Sequence, residues 1–196
     1  AYKKALAINP KNVRAYSNLG LVYHSLGDFT QSEQVLTEAL SLNPNNRDTL
    51  TNLASSKIEL EKYEEASQLL ARAIEVEPFA LEPHIASGLL NVRLGRRQIA
   101  LAFFLRAADI RPDFREPWNN IGALYGEMGN YEKSVEFLKV ALKIAPNDGD
   151  SNLNLAVAFY LLKDYENAKK YAKISYRLGK KLPNFLTNLS EEKTGN

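Results

Sequence analysis

Large apolar and aromatic residues recur in this chain at spacings of three and four, as in Tyr16, Leu19 and Tyr23 and again in Trp118, Ile121 and Tyr125. That spacing puts them on one stripe of an amphipathic α-helix. A second set, Leu36, Leu70, Phe104 and Leu138, stands at intervals of 34 residues. Five prolines, Pro10, Pro44, Pro78, Pro112 and Pro146, keep the same interval without an insertion or deletion. A constant period of this length marks an array of like units. Started three residues after each proline, the units are 13–46, 47–80, 81–114, 115–148 and 149–182.

Small residues obey the period too. The eighth place of each unit holds Gly20, Ala54, Gly88, Gly122 or Ala156, and the twentieth holds Ser32, Ala66, Ala100, Ser134 or Ala168. The twenty-seventh holds Ala39, Ala73, Ala107, Ala141 or Ser175. With about a quarter of residues being Ala, Gly or Ser, such agreement arises by chance on the order of once in a billion. Small side chains at fixed places let two helices approach closely, because anything larger than a methyl group would hold their axes apart. Each unit is therefore expected to form two helices. The first runs to Gly27, Gly95 or Gly129, where glycine supplies a left-handed cap. The second ends ahead of the proline, which cannot continue a helix interior.

The stretches "AYSNLGLVYHSLGDFTQSEQVLTEALSLNP" and "PWNNIGALYGEMGNYEKSVEFLKVALKIAP" closely resemble the tetratricopeptide repeat (TPR) family, and the resemblance covers almost the whole chain. Residues 1–12, containing "AYKKALAINP", resemble the second helix of a truncated repeat. Residues 183–196 begin "PNFLTNLSEE", a copy of "DTLTNLASSK" from Asp48, so a capping helix or the start of a sixth repeat is expected there, with Gly195 and Asn196 suiting its end. A start at Ala1 inside the pattern points to a piece of a longer chain. The resemblance implies an all-α fold, an α-solenoid of stacked antiparallel helix pairs winding into a right-handed superhelix, with first helices lining a concave groove. Some places depart from the pattern. The third unit has His84, Ser87 and Asn91 at its fourth, seventh and eleventh places, which puts its packing in question. The second has Lys57 where an aromatic is usual, and the fifth has Ser175 for alanine and Lys180 for proline.

Composition changes this picture little. With 45% apolar and 24% charged residues the chain can bury a core, which excludes disorder and collagen. Lysine plus arginine number 25 against 23 acids, so the net charge of +2 gives no global attraction to nucleic acid or anionic membrane. With no cysteine there is no disulfide, thiol nucleophile or thiolate metal site. A run of about 18 apolar residues, which a membrane span requires, is missing, and so is the apolar core of a signal peptide. Compartment is not fixed by any of this, and the cytoplasm is the default expectation.

The resemblance places binding in the groove. Places 2, 6, 9 and 13 of a first helix share one face, and places 5 and 12 border it. The sixth place reads Asn18, Asn52, Ala86, Asn120 and Asn154, with Asn188 in the last helix. An asparagine offers both a donor and an acceptor, so it can bond the C=O and the N–H of an extended peptide whatever its sequence. Such a ladder is similar to the one by which O-GlcNAc transferase members of the family hold polypeptides. The other reading is that these amides orient neighbouring helices. Arg14 at the second place and Asn119 at the fifth extend the candidate site. The second place otherwise reads Asp48, Glu82, Glu116 and Asp150, and the fifth lacks lysine throughout. The carboxylate clamp of the family's chaperone cofactors is thus mostly missing, and an acidic terminus is expected to be repelled. Around the gap at Ala86, the residues Ile85, Leu89 and Val92 make an apolar patch suited to one ligand side chain, or to packing.

Other chemistries are thin. His24 and His84 occupy different places in their units, which suits neither a metal site nor an acid–base pair. "DGDSN" from Asp148 starts like a calcium loop, but Leu153 and Phe159 stand where glycine and glutamate are required, so a turn capped by Asp148 or Asp150 is expected. Gly179-Lys180 lacks the glycine-rich loop of a phosphate cradle. No enzyme, cofactor or metal is expected. A basic row, Lys163, Lys169, Lys170, Lys173, Arg177, Lys180 and Lys181, could hold nucleic acid, but a solvated outer face near a helix C-terminus is the simpler reading. The expected role is a protein–protein interaction scaffold that binds an extended peptide or a partner's helix. The alternatives are a self-associating scaffold, hence a homo-oligomer, or the substrate-presenting arm of an enzyme whose catalytic domain lies outside this segment.

Overall fold

The structure, a computed structural model, describes residues 2–191, so the expected helix stop at Gly195 and Asn196 lies outside the described residues. Among the described residues there are twelve helices and no strand. They are α1 (Tyr2–Ile8), α2 (Val13–Ser25), α3 (Phe29–Leu42), α4 (Arg47–Glu59), α5 (Tyr63–Val76), α6 (Leu81–Arg93), α7 (Arg97–Ile110), α8 (Arg115–Glu127), α9 (Tyr131–Ile144), α10 (Gly149–Leu161), α11 (Tyr165–Arg177) and α12 (Asn184–Glu191). The chain divides into two compact units, one ending at Phe103 and the other starting at Phe104. In the first, α2 packs on α3 and α4 on α5, with α2, α3 and α6 also against α4. In the second, α8 packs on α9 and α10 on α11, with α9 against α10 and α12 against α11.

Sequence explains where these helices start and stop. Asn12, Asn46 and Asp148 accept the N–H of Ala15, Thr49 and Ser151, and Asp28, Asn130 and Asp164 do the same for α3, α9 and α11. These bonds satisfy donors that have no partner in a first helical turn. Of the two candidate caps in "DGDSN", Asp148 is the one in use. Each of the five repeated prolines stands two residues beyond the end of α1, α3, α5, α7 or α9. The turn between paired helices is left-handed in every case: Gly27, Glu61, Gly95, Gly129 and Lys163 have φ of 76°, 59°, 70°, 78° and 62°. The following N–H reaches back to close each turn, for example Asp28 to the Tyr23 carbonyl at 2.9 Å and Lys62 to the Lys57 carbonyl at 2.8 Å. Two side-chain-bearing residues therefore hold a conformation that favours glycine.

The pairs pack through the small residues. A Cβ at Gly20 would collide with Leu36, and one at Gly122 would lie 2.6 Å from Cγ of Leu138. Ser32 Oγ, at the twentieth place, donates to the Gly20 carbonyl at 2.8 Å. Around these contacts Ala54, Ala66, Leu70 and Leu90 form a buried cluster in the first unit, and Leu138, Leu155, Ala168 and Leu186 do so in the second. The departing residues of the third repeat, His84, Ser87 and Asn91, are all buried. His84 is buried, donates from Nε2 to the Pro78 carbonyl at 3.0 Å and lies 6.2 Å from the Phe103 ring. Trp118 Nε1 and Asn152 Nδ2 make the same bond to Pro112 and Pro146, at 2.9 and 3.2 Å. A ring or amide N–H at the fourth place thus ties three of these helices to the preceding proline carbonyl.

Lys57, in place of an aromatic, is buried in an ion cluster. Its Nζ lies 2.5 Å from Glu33 and 2.7 Å from Glu65, while Lys62 reaches Glu33 at 2.8 Å. Burial by itself would raise the Glu33 carboxyl, but hydrogen bonds and charge from Lys57 and Lys62 outweigh it and hold the pKa below its usual 4.5. Burial would lower the Lys57 ammonium, yet the bonds to Glu33 and Glu65 keep its pKa above 10.5. The depressed Glu33 stabilises the fold above pH 4.5 and loses that contribution as pH falls through its folded value. The raised Lys57 contributes below pH 10.5 and loses it as pH rises through its own.

Glu61→Gly and Lys163→Gly relieve left-handed strain, and each is expected to add about 1 kcal/mol, or about 2–4 °C in thermal melting; a lower melting temperature would show that these side chains make compensating contacts. Lys57→Met is expected to cost about 1.5 kcal/mol at neutral pH by removing charge-assisted bonds to Glu33 and Glu65. Urea midpoints measured against pH should show the gap from wild type closing as pH drops below that of a free glutamate, and a constant gap would contradict the assignment.

Candidate functional site

In the first unit α2 and α4 lie side by side, knitted by hydrogen bonds between residues of adjacent repeats. Ser17 Oγ and Thr49 Oγ1 are 2.6 Å apart, and His24 Nδ1 lies 3.1 Å from Ser56 Oγ. The open face of these two helices forms a cleft of about 660 Å³ that also takes in Glu82 of α6. This volume is in the range of ligand-binding clefts. Arg14, Asn18, Asp48 and Asn52, four of the residues that sequence places on the groove face, line it. The side chains of Asn18 and Asn52 are half-buried and make no hydrogen bond among the described residues, so both amides are open to the cleft. Arg14 is exposed and has no ion-pair partner among the described residues.

The acidic row on this face is not bare. Arg47, at the first place of its repeat, binds Asp48 at 2.6 Å, Glu82 at 2.9 Å and Glu77 at 3.2 Å. Its side chain is only 22% exposed, which strengthens these pairs relative to freely solvated ones. Arg47 thus offsets part of the negative charge of Asp48, Glu77 and Glu82 in this cleft, and Arg14 adds an unpaired positive charge. Sequence reasoning passes over Arg47. The available sign is the period itself, which makes residues 34 or 35 apart neighbours and so pairs Arg47 with Glu82.

The apolar patch on α6 is smaller than the sequence implied. Ile85 and Ala86 are buried, Val92 is half-buried, and Leu89 is the exposed member, with 43% of its surface accessible. A ligand side chain would meet Leu89 rather than Ile85.

In the second unit the asparagines are arranged differently. Asn119 is buried, and its Oδ1 accepts from Ser151 Oγ and from Asn154 Nδ2, both at 3.1 Å. These bonds knit α8 to α10, so Asn119 and half of the Asn154 amide serve the packing of helices. Asn154 also lines a cavity of about 300 Å³ with Ala123, Tyr131 and Val157. Asn120 has a buried Nδ2 with no hydrogen-bond partner among the described residues. Asn188 of α12 is exposed.

Both histidines take part in packing, and His84 Nδ1 is buried without a hydrogen-bond partner among the described residues. His24 is taken up by Ser56 and an edge-on contact with Phe29 at 5.1 Å, and His84 by the Pro78 carbonyl. Among the described residues no helix is long and apolar enough to cross a membrane.

Comparison with known proteins agrees with this geometry. Three family models match, described as TPR repeat over residues 1–27 and as tetratricopeptide repeat over residues 23–87 and 116–148, together more than half of the chain. No curated protein gives a significant match. Among solved structures, pilF of Pseudomonas aeruginosa superposes with a TM-score of 0.79 at 21% identity, over 86% of this chain and 77% of that one. A thermophilic TPR protein of Thermus thermophilus gives 0.77 at 18% identity, over 91% and 97%. YrrB, described as a TPR protein with an unusual peptide-binding site, gives 0.63 at 16% identity, over 98% of both chains. The 34-residue period, the small-residue contacts between paired helices and these matches agree: the chain belongs to the tetratricopeptide repeat family, as an all-α helical-repeat solenoid.

Proposed function

We propose that this protein captures an extended peptide segment of a partner in the cleft of its first unit, gripping the peptide backbone through Asn18 and Asn52. TPR proteins are in general protein–protein interaction modules, and a non-catalytic scaffold is the usual role of the fold. The observation that carries the finer reading is that both amides face a cleft of about 660 Å³ with their hydrogen-bonding capacity unspent. Asn18 and Asn52 stand one repeat apart, so they can hold successive stretches of one strand. Arg14 and Arg47 offset part of the charge of the acidic row, and Leu21 supplies an apolar contact. The description of YrrB as a peptide-binding TPR protein supports this use of the fold. In the second unit Asn120 and Asn154 are proposed as a lesser contribution, because Asn154 is already bonded to Asn119.

Each net hydrogen bond adds about 1 kcal/mol, so one bond from each of the two amides accounts for roughly a thirtyfold change in affinity. A random-peptide display library panned against the wild type should yield binders that lose about that much on Asn18→Ala/Asn52→Ala, with helicity unchanged, and lose less on Asn120→Ala/Asn154→Ala. Full retention by the first variant would sink backbone capture in this cleft. Sedimentation across a range of concentrations, run on the same samples, separates this reading from a self-associating scaffold.

A further inference from the structure

A second cavity, of about 600 Å³, lies between α11 and α12. Its walls include Lys173, Tyr176 and Arg177 from α11, Lys181 and Leu182 from the connection, and Asn184 from α12. Among the described residues no acidic one lines it. Residues 173, 176 and 177 share one face of α11 by their spacing of three and four. Among the described residues Lys173, Arg177 and Lys181 have no carboxylate within ion-pair distance. Lys180 of the same basic row differs, being paired with Asp150 at 2.7 Å. Three cations without a carboxylate partner are thus gathered in one cavity. Beside it stands Tyr176, an aromatic ring with 68% of its surface exposed, and Leu182 adds an apolar wall.

From this we infer that the α11–α12 cavity is a second binding site, separate from the asparagine cleft, that takes an acidic peptide segment carrying an aromatic or aliphatic side chain. Three cations around one concave space match one or two carboxylates at short range. The Tyr176 ring and Leu182 match an apolar side chain next to them. A nucleic-acid strand asks for a different surface, a track of cations following a phosphate backbone. Here that track is interrupted at Lys180, whose charge is paired with Asp150.

Fluorescence anisotropy on the whole chain at low salt tests this with three labelled probes: a glutamate–tyrosine peptide, its glutamine–tyrosine counterpart and an oligouridylate. The acidic peptide should bind best, and the glutamine counterpart should bind at least roughly tenfold more weakly. Lys173→Gln/Arg177→Gln/Lys181→Gln should weaken the acidic peptide by roughly tenfold or more, whereas the charge-matched control Lys4→Gln/Lys11→Gln/Lys143→Gln should leave it unchanged. Tyr176→Ala, which keeps every charge and sits on the surface, should also weaken it. Equal losses in the cavity and control variants, an unchanged affinity in Tyr176→Ala, or tighter binding of the oligouridylate than of the peptide would each overturn the inference. Asn18→Ala/Asn52→Ala should have no effect on this peptide at the cavity, which keeps the test independent of the cleft reading.

Discussion

The close contact between the two helices of a pair, where a residue with little or no side chain at the eighth place meets a large one at the twenty-fourth, is the constraint on which the rest of the structure depends. At Gly122 there is no room for a methyl group beside Leu138, and at Gly20 none beside Leu36. Packing at this density is felt to the last methylene, so the contact fixes both the separation and the register of the two helices. In the last pair both partners are small, Ala156 and Ala172, and each is buried in the same cluster as Phe159, whose ring stacks on Tyr171 at 5.7 Å.

With the pairs fixed, first helices of neighbouring repeats are brought alongside, and polar side chains decide what their shared face does. Ser17 and Thr49 tie α2 to α4 below the surface, which leaves Asn18 and Asn52 above it with nothing to bond. In the second unit the same job falls to Asn119 with Ser151 and Asn154, and the amide at the sixth place is drawn into the tie. Identical residues at identical places therefore have different roles. What separates them is the side chain at the fifth place, a short serine in one unit and a longer asparagine in the other.

This contrast shows how far the sequence is legible. The period, the small residues and the proline stops are local and repeated, so they can be read by counting, and the helices begin and end where they indicate. Left-handed turns at Glu61 and Lys163 are not legible, because the residue type contradicts the conformation and only the place in the repeat gives it away. His84 reads as a misfit until its Nε2 is seen to do the work of Trp118 Nε1 and Asn152 Nδ2. Lys57 reads as a flaw in an aromatic stripe, whereas Glu33 and Glu65 arrive from α3 and α5 to bury it. Arg47 escapes such a reading since its partners come from three segments of the chain. For Lys57 and Arg47 the deciding contacts reach residues distant in sequence, Glu33 in one case and Glu77 and Glu82 in the other, whereas His84 and the two turns act locally, through the Pro78 carbonyl and the backbone itself.

If the small-against-large contact sets the architecture, its two sides must be energetically coupled. The most direct test is a double-mutant cycle at the pair in contact in the second unit, with Gly122→Leu, Leu138→Ala and both together, followed by urea denaturation. Each single change should destabilise the protein, one by overpacking and one by leaving a cavity. The account predicts that the double variant is more stable than the sum of the two losses by at least about 1 kcal/mol, because the new leucine occupies the space the old one left. Additive losses would show that the two positions do not share that space, and would contradict the account at its base.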